Sequence, residues 1–360
     1  MNRREIITAI APAAAATAIA APAIAQSSPA IRWRMQSSFP KSLDTVFGGA
    51  AYLAQRVAKL TDGKFDIQVF AAGEIVGPLQ VLDAVQNGTI DAGHTAGFYY
   101  IGKSPALGFD TGVPFGLTPR QHVSWMRYGG GLELMRELYG AFNVIQFPCG
   151  NTGAQMGGWF RKEIKSVDDL KGLRMRAAGF LGTVYAKLGV VVQQIPAGDV
   201  YPALERGTID AVEWVGPYDD EKLGLNKVAQ YYYGPGVMEL GASLCGIVNM
   251  AKWNELPPLY KEAFESACAD AYLDTLAKYD AYNMAALRRL IGAGAQLRFW
   301  PAEVMKALQK ATNDSLQEIA VKDPAFAKVH TAWKKFRDEQ VLWSSVNDGA
   351  AENFLNTNRT

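Results

Sequence analysis

The stretch Val81-Leu-Asp-Ala-Val-Gln-Asn-Gly-Thr-Ile-Asp-Ala92 returns later in the chain as Val200-Tyr-Pro-Ala-Leu-Glu-Arg-Gly-Thr-Ile-Asp-Ala211. In each copy a helix-prone run ends at a glycine, and Thr-Ile-Asp-Ala begins a strand. The alternative is that Gly-Thr-Ile-Asp is ordinary chemistry for ending a helix and starting a strand. We favour a repeat, because one helix–strand unit in each half of the chain predicts two similar lobes that face each other across a cleft.

Strands and helices alternate along the chain on either side of these two units, which predicts an α/β fold. Alternation of apolar and polar residues marks the strands, and apolar residues at helical spacing mark the helices. The predicted strands are 31–38, 64–70, 89–100, 143–147, 190–195, 208–216 and 296–300, and the predicted helices are 44–60, 79–86, 119–140 and 181–188.

The segment from Pro257 to Ile291 has a helix-forming composition and no internal glycine, so it predicts one long helix that braces both lobes. The remaining chain reads as amphipathic helix. The predicted domains are a signal peptide at 1–25, lobe I at 26–149 with about 236–256, lobe II at 150–235 with about 295–325, the spanning helix at 257–293 and a C-terminal helical tail at 326–360.

The N-terminus has the pattern of an export signal. Arg3 and Arg4 precede an alanine-rich run without charge, and Ala23-Ile24-Ala25 fits a small-x-small cleavage site before Gln26. The arginine pair leaves both the general and the twin-arginine export routes open. The sequence therefore predicts a periplasmic protein.

Composition excludes some function classes. Without Arg3, Arg4 and Glu5, the 36 basic and 35 acidic residues of the chain become 34 of each. A neutral chain without a basic run predicts no nucleic-acid partner.

The three cysteines, Cys149, Cys245 and Cys268, lack metal-type spacing and are expected to be buried thiols, although one disulfide is allowed.

A glycine-rich stretch, Cys149-Gly-Asn-Thr-Gly-Ala-Gln-Met-Gly-Gly-Trp159, lets the backbone approach a ligand and offers hydrogen-bonding groups from Asn151, Thr152 and Gln155. The following strand ends at Arg176, whose planar guanidinium suits a carboxylate. Together these features predict a pocket for a small anion. Tyr99 and Tyr100, at a predicted strand end, are further candidates for the cleft.

Glu213 and Trp214 stand at another predicted strand end. Three interpretations of Glu213 remain open: a structural ion pair, a general base, or an oxygen ligand for a hard cation. Glu239 is either a second carboxylate of that site or an ordinary loop residue. Asp219, Asp220 and Glu221 are interpreted as acids in the first turn of a helix, where the helix dipole favours them.

Signals of catalysis are few. The chain has three histidines, His94, His122 and His330, and none has the spacing of paired metal ligands. The sequence also contains no Gly-x-Ser-x-Gly nucleophile elbow. Residues 97–104 match the phosphate-loop pattern formally, but bulky residues fill the loop and Pro105 contradicts the helix that must follow. A non-catalytic binding protein is therefore favoured over a periplasmic enzyme that uses Glu213 as a base.

These motifs resemble those of the extracytoplasmic solute receptors of TRAP transporters, the DctP family, and within it the 2-oxoacid (TakP-like) receptors. The resemblance rests on Gln155-Met-Gly-Gly-Trp-Phe-Arg161, Leu173-Arg-Met-Arg176 and Glu213-Trp-Val-Gly-Pro-Tyr-Asp-Asp220, and covers nearly the whole mature chain. It implies a two-lobe receptor that passes a small 2-oxo or 2-hydroxy monocarboxylate to a membrane permease. A ligand sensor is the alternative within the same fold. Relatives dimerise through C-terminal helices, so a homodimer is also implied.

The resemblance also implies residue roles. Arg176 would clamp the carboxylate, and Asn151 and Tyr99 would contact the ligand's other oxygens, with Trp214 beside it. A sodium or calcium ion would join substrate to protein, a role that fits the preference of hard cations for oxygen. Its implied ligands are Gln155, Glu213, the main-chain carbonyl of Trp214 and Glu239.

Overall fold

The computed structural model describes residues 29–236 and 239–358. The predicted signal peptide at 1–25 lies outside these residues. Within the described ranges no helix is both long and apolar enough to cross a membrane. The strands are β1 (Ile31–Ser37), β2 (Phe65–Phe70), β3 (Ala92–Thr95), β4 (Val144–Asn151), β5 (Gly158–Phe160), β6 (Arg174–Arg176), β7 (Val191–Gln193), β8 (Ala211–Val212), β9 (Tyr231–Gly234), β10 (Ser243–Asn249) and β11 (Gln296–Phe299).

Helices cover the faces of the sheets and form the C-terminal part of the chain. They are α1 (Val46–Leu60), α2 (Val81–Gln86), α3 (Gly108–Thr111), α4 (Pro119–Tyr128), α5 (Gly131–Gly140), α6 (Gly179–Lys187), α7 (Ala197–Glu205), α8 (Pro217–Lys222), α9 (Met250–Glu255), α10 (Pro258–Gly292), α11 (Ala302–Lys322), α12 (Pro324–Val346) and α13 (Asp348–Thr357).

The strands form two sheets, one in each lobe. The first has the order β2-β1-β3-β10-β4, and the second has the order β11-β9-β5-β8-β6-β7. In the first sheet β1, β2 and β3 are parallel, and β10 runs antiparallel to β3 and β4. In the second, β6, β7 and β8 are parallel, and β5 runs antiparallel to β8 and β9. The chain is therefore a two-lobe α/β protein, as predicted.

The two copies of the sequence repeat occupy equivalent places in the two lobes. In each, a helix (α2 or α7) ends at a glycine with positive φ, Gly88 at +77° and Gly207 at +69°, and leads into a strand (β3 or β8). Such a backbone favours glycine. Asp91 and Asp210 each accept a hydrogen bond from the backbone of the neighbouring strand, β1 and β6 respectively. The two copies therefore form equivalent helix–strand units in the two lobes, in addition to sharing the residues that end a helix and begin a strand.

The long helix α10 packs against both lobes, which confirms the predicted brace. It lies along α1 and β4 of the first lobe and reaches α8 of the second. Its first half buries Phe264 and Cys268 in the first-lobe core, and Tyr279 lies in a hydrophobic cluster shared by the two lobes. The three cysteines are buried free thiols.

One predicted helix is divided in the structure. The helix predicted at 119–140 is broken into α4 and α5, because Gly130 has a φ of +80° and Cβ atoms at Gly129 and Gly131 would meet the Trp125 ring within 3 Å. The C-terminal helices pack back on the lobes. After α11 packs on α6 of the second lobe, α12 returns to the first lobe and buries Trp333 in its core.

Candidate functional site

The glycine-rich stretch is where the chain passes from one lobe to the other. It leaves the first sheet at the end of β4 and enters the second at β5, and Thr152 and Met156 bond to backbone on the way. Gly158 has a φ of +108°, and a Cβ there would lie 2.5 Å from the Val212 carbonyl oxygen. Glycine is therefore required where the crossing strand approaches β8.

Arg176, at the carboxyl end of β6, is 2% exposed. Its Nε donates to the Ile195 carbonyl oxygen at 3.2 Å, and its Nη1 donates to the Glu213 carbonyl oxygen and lies 3.3 Å from Glu213 Oε2. The guanidinium stacks on Trp214, with Cζ 4.6 Å from the ring centroid. These contacts fix the plane of the fork, so that its orientation is set before a ligand arrives.

Glu213 and Glu239 bring two carboxylates to the same buried place. Burial raises the pKa of Glu213 well above its ordinary value; Arg176 opposes that rise, and the charges of Glu239 and Asp220 add to it. Burial also raises the pKa of Glu239 to about 8, and Arg176 opposes it. Within the described ranges Glu239 Oε2 has no hydrogen-bond partner. One guanidinium thus faces two carboxyl groups, which leaves the site short of positive charge.

The carboxamide of Gln155 lies against the same group of oxygens. In the orientation that satisfies every partner, Gln155 Nε2 donates to Glu213 Oε1 at 2.6 Å and to the Trp214 carbonyl oxygen at 3.0 Å, and Gln155 Oε1 accepts from Thr152 Oγ1 at 3.0 Å. Rotating the amide by half a turn would bring its oxygen to the Glu213 and Trp214 oxygens, where the three could share a cation.

The donor set fits a hard cation. The described residues contain no group of three or more His, Cys, Asp and Glu side chains that could hold a metal ion. The ligands available here are instead two carboxylates, an amide oxygen and a main-chain carbonyl. Sodium and calcium take such all-oxygen sets, whereas zinc and copper prefer nitrogen and sulfur.

The site opens on a small cavity between the lobes, with a volume of about 20 Å³. The carboxyl ends of β1 and β3 contribute an apolar wall, and those of β6 and β8 contribute the charged wall, as expected for α/β sheets. The cavity is lined by Phe39, Val46, Ala96, Phe98, Tyr99, Thr152, Gln155, Arg176, Glu213, Trp214, Val215, Glu239, Ala242 and Leu244.

A larger groove of about 880 Å³ lies on the first lobe, between α4, α5 and α10. Its rim is open, with Tyr128 90% exposed and Leu273 65% exposed. None of the described residues that line the groove is a buried charged group of the kind that converges at the small cavity. The small cavity is therefore the better candidate for recognition of a small charged ligand.

Six of the eight predicted substrate and cation residues line the cavity: Tyr99, Gln155, Arg176, Glu213, Trp214 and Glu239. The Tyr99 hydroxyl faces the Arg176 guanidinium, and burial raises its pKa to about 12. Their contacts with ligand or cation stay predictions.

The structure places Tyr100 and Asn151 outside the lining of the small cavity, and their predicted contacts with the ligand stay predictions. The strand β3 ends at Thr95, and Gly97–Tyr100 forms a 3-10 turn, so Tyr99 and Tyr100 point in different directions. The Tyr100 hydroxyl lies 2.8 Å from Thr95 Oγ1 in the first-lobe core. Asn151 donates to the Tyr272 hydroxyl at 2.9 Å and accepts from Gly153 N, so it shapes the turn beside the cavity.

Sequence reasoning missed the apolar wall. Phe98 and Leu244 could not be predicted as site residues, because nothing in the sequence distinguishes an apolar residue near a strand end from a residue of the hydrophobic core.

A family model described as "Bacterial extracellular solute-binding protein, family 7" (DctP) matches residues 36–323, well over half of the chain. The chain belongs to the DctP family. The family is extracellular and binds solutes, which confirms the predicted location outside the cytoplasm and the prediction that the protein is a receptor and not an enzyme.

Relatives of this DctP protein match it over most of its length. A "Monocarboxylate 2-oxoacid-binding periplasmic protein" from Nostoc sp. PCC 7120 is 52% identical, and the match covers 100% of both chains. A TRAP transporter solute binding protein from Bordetella bronchiseptica RB50 is 53% identical with a TM-score of 0.90, covering 91% of this chain and 98% of that one. Its structure is a mixed occupancy dimer with copurified calcium and picolinate in one active site.

A third protein, a TRAP periplasmic solute binding protein from Pseudoalteromonas atlantica T6c, has bound sodium and pyruvate. It is 38% identical with a TM-score of 0.86, and the match covers 89% of this chain and 98% of that one. The predicted resemblance to TRAP receptors is thus confirmed.

The buried carboxyl groups predict that the DctP protein loses stability as pH rises. Burial raises the pKa of Asp220 to about 7 and that of Glu239 to about 8. Because the folded protein then holds protons that the unfolded chain has lost, the free energy of unfolding falls as pH increases through these values, by about 1.4 kcal/mol per pH unit for each such proton. His122, whose pKa burial lowers to about 4, acts in the opposite direction but has finished titrating by pH 7. Burial raises the pKa of Cys149, but its contacts with Cys268 and His94 outweigh burial and lower that pKa from 9.0 to about 6, so this thiol opposes part of the decrease.

Urea unfolding at pH 6.5 and pH 8.5, in buffer free of sodium and calcium, measures this effect. We expect lower stability at pH 8.5 and a smaller decrease in Glu239→Gln. An equal change in the wild type and in Glu239→Gln contradicts the raised pKa of Glu239.

Proposed function

We propose that this protein is the periplasmic receptor of a TRAP transporter that holds a small 2-oxo or 2-hydroxy monocarboxylate between its lobes and delivers it to a membrane permease. The observation that carries the proposal is the meeting of the buried, stacked Arg176 with the oxygens of Gln155, Glu213, Trp214 and Glu239 at one interlobe cavity.

Arg176 would hold the ligand carboxylate. Its Nε and Nη1 already bond to protein, and its fork is fixed by the Trp214 ring. A guanidinium buried in this way gives strong, directional hydrogen bonds to a carboxylate. Among the described residues that line the cavity there is no second arginine or lysine, which favours a monocarboxylate over a dicarboxylate.

The charge balance supports a bound cation. Glu213, Glu239 and one carboxylate ligand bring three negative charges against the single positive charge of Arg176. A divalent ion balances them fully, and a monovalent ion does so if one glutamate is protonated, in line with the raised pKa of Glu239. When bound, the ion would be coordinated by oxygens of the ligand, so a 2-oxo or 2-hydroxy group beside the carboxylate is favoured.

Small size and an apolar wall define the rest of the ligand. Phe39, Phe98 and Leu244 face the charged side, so a short apolar substituent fits better than a long or polar one. This class agrees with the 2-oxoacid and pyruvate ligands of the similar proteins.

A homodimer is part of the proposal. The similar Bordetella structure is a dimer. In this chain α12 and α13 expose apolar side chains near the C-terminus, which is unusual for a surface that faces only water. These are Val341, Leu342, Trp343, Val346, Phe354 and Leu355.

Thermal melting of EDTA-dialysed protein against a panel of acids tests the ligand class. The panel contains pyruvate, longer 2-oxoacids, lactate and C4-dicarboxylates, each with calcium present. A ligand at a hundred times its dissociation constant stabilises by about 2.7 kcal/mol, so monocarboxylates should raise the midpoint by several degrees. A shift with dicarboxylates alone would overturn the proposed class.

A further inference from the structure

Two neighbouring acids of α8 are buried inside the molecule. Asp219 is 0% exposed and Asp220 is 1% exposed, and only Glu221 lies at the surface, paired with Arg289. Asp219 and Asp220 lie in the first turn of α8, as predicted, but their carboxylates face the interior of the molecule. A buried carboxylate needs hydrogen-bond donors, and the identity of those donors shows what it holds together.

Asp219 is bonded from two other parts of the molecule. Thr45, at the start of α1 in the first lobe, donates from Oγ1 to Asp219 Oδ1 at 2.5 Å. Tyr279, on the long helix α10, donates from its hydroxyl to Asp219 Oδ2 at 2.7 Å. Asp219 itself lies on α8 of the second lobe, so one carboxylate joins both lobes and the helix that braces them.

Asp220, the next residue, serves as an internal comparison. Its Oδ2 accepts from Trp159 Nε1 at 2.9 Å and from the Tyr232 hydroxyl at 2.8 Å. Both donors belong to β5 and β9 of the second lobe. Of these two neighbouring acids, only Asp219 is bonded across the lobes.

Thr45 bonds to Asp219 instead of capping its own helix. It occupies the position before the first residue of α1, where threonine usually caps the helix through its own hydroxyl. Among the described residues Thr45 makes no such side-chain cap. Its hydroxyl is instead committed to the other lobe.

The bond lies directly behind the candidate ligand site. The Trp214 indole, on which Arg176 stacks, lies beside Asp219. Apolar residues of both lobes surround the junction and exclude water, among them Phe39 and Val46. Hydrogen bonds to a charged group are strong in such surroundings.

We propose that Asp219 is a positioning residue that keeps the lobes closed on the ligand, by accepting hydrogen bonds from Thr45 of the first lobe and Tyr279 of the long helix. The inference rests on the proposed receptor function. Separation of the lobes must break the Thr45–Asp219 bond, so the bond slows opening and therefore ligand release.

The test compares Thr45→Val and Asp219→Asn with wild type. Thr45→Val keeps the side-chain shape, removes one donor, and leaves the interior of each lobe intact, so it remains informative if Asp219→Asn folds poorly. Stopped-flow tryptophan fluorescence with pyruvate and calcium measures association and dissociation separately. We expect dissociation to be about tenfold faster in both variants, with little change in association.

Two matched controls separate closure from general stability. Tyr232→Phe removes a bond to Asp220 inside the second lobe, and should lower the melting temperature without changing ligand release. Asp44→Asn removes an exposed contact across the same junction, to Lys222 and Tyr218, and should change release less than twofold.

The outcomes distinguish this inference from the receptor proposal. If wild type binds pyruvate and both Thr45→Val and Asp219→Asn release it at the wild-type rate, the positioning role is overturned and the receptor function stands. If wild type binds none of the carboxylates, spin-label distances between residues 66 and 206, on different lobes, decide the matter. Longer distances in Thr45→Val support the positioning role, and unchanged distances overturn it.

Discussion

Replacing Arg176 by alanine is expected to raise the dissociation constant for the carboxylate at least a hundredfold. Hydrogen bonds to a charged group are worth about 1.5–3 kcal/mol each, so losing two of them amounts to about 3–6 kcal/mol. The variant also leaves Glu213 buried without its cationic neighbour, which further disfavours an anionic ligand. Calorimetric titration of pyruvate in calcium-containing buffer measures the change.

Two further variants make this prediction specific. Arg176→Lys keeps the charge but loses the fork, and should weaken binding about tenfold. Arg174→Ala removes an arginine from the same strand that is half-exposed and paired with Asp210, and should change binding less than twofold. Near-wild-type binding by Arg176→Ala refutes the carboxylate clamp.

Replacing Glu213 by glutamine is expected to abolish the dependence of ligand binding on a cation. Glu213 Oε1 is one of the converging oxygens, 2.6 Å from the Gln155 carboxamide, and its Oε2 lies next to Arg176. Without that charge the remaining ligands are Glu239, an amide and a carbonyl, a set too weak to hold sodium or calcium beside Arg176. Affinity at saturating calcium should then fall about a hundredfold, to the level measured with EDTA.

Glu221→Gln is the matched control for this variant. Glu221 is eight residues further along, at the surface, and pairs with Arg289. Its loss should leave the cation effect unchanged. A Glu213→Gln protein that still binds pyruvate more tightly when calcium is added would show that the cation is held elsewhere.

Local sequence signals predicted most of the fold. The repeat predicted both helix–strand units, because the glycine that ends each helix and the Thr-Ile-Asp-Ala that begins each strand determine the backbone over a few neighbouring residues. The long helix α10 was predictable from uninterrupted helical composition. The break between α4 and α5 was not, since it depends on the Trp125 ring that packs over Gly129 and Gly131.

The charged wall of the site was predictable and the rest was not. Arg176 and Glu213 lie at strand ends within distinctive motifs, so both their residue type and their position indicated a binding site. Tyr100 was misplaced because a change from strand to 3-10 turn at Gly97 alters side-chain direction without altering composition. The burial of Asp219 was not predictable, because a first-turn acid has the same sequence pattern whether it faces water or, as here, Thr45 of the other lobe.

The most direct test of the central claim is calorimetric titration of pyruvate into EDTA-dialysed wild-type protein, in choline buffer alone and with added sodium or calcium. A receptor that joins its ligand to Glu213 and Gln155 through a cation must bind pyruvate much more tightly when one of these ions is present. Tight binding of equal strength in choline buffer, with no response to either ion, would contradict the account.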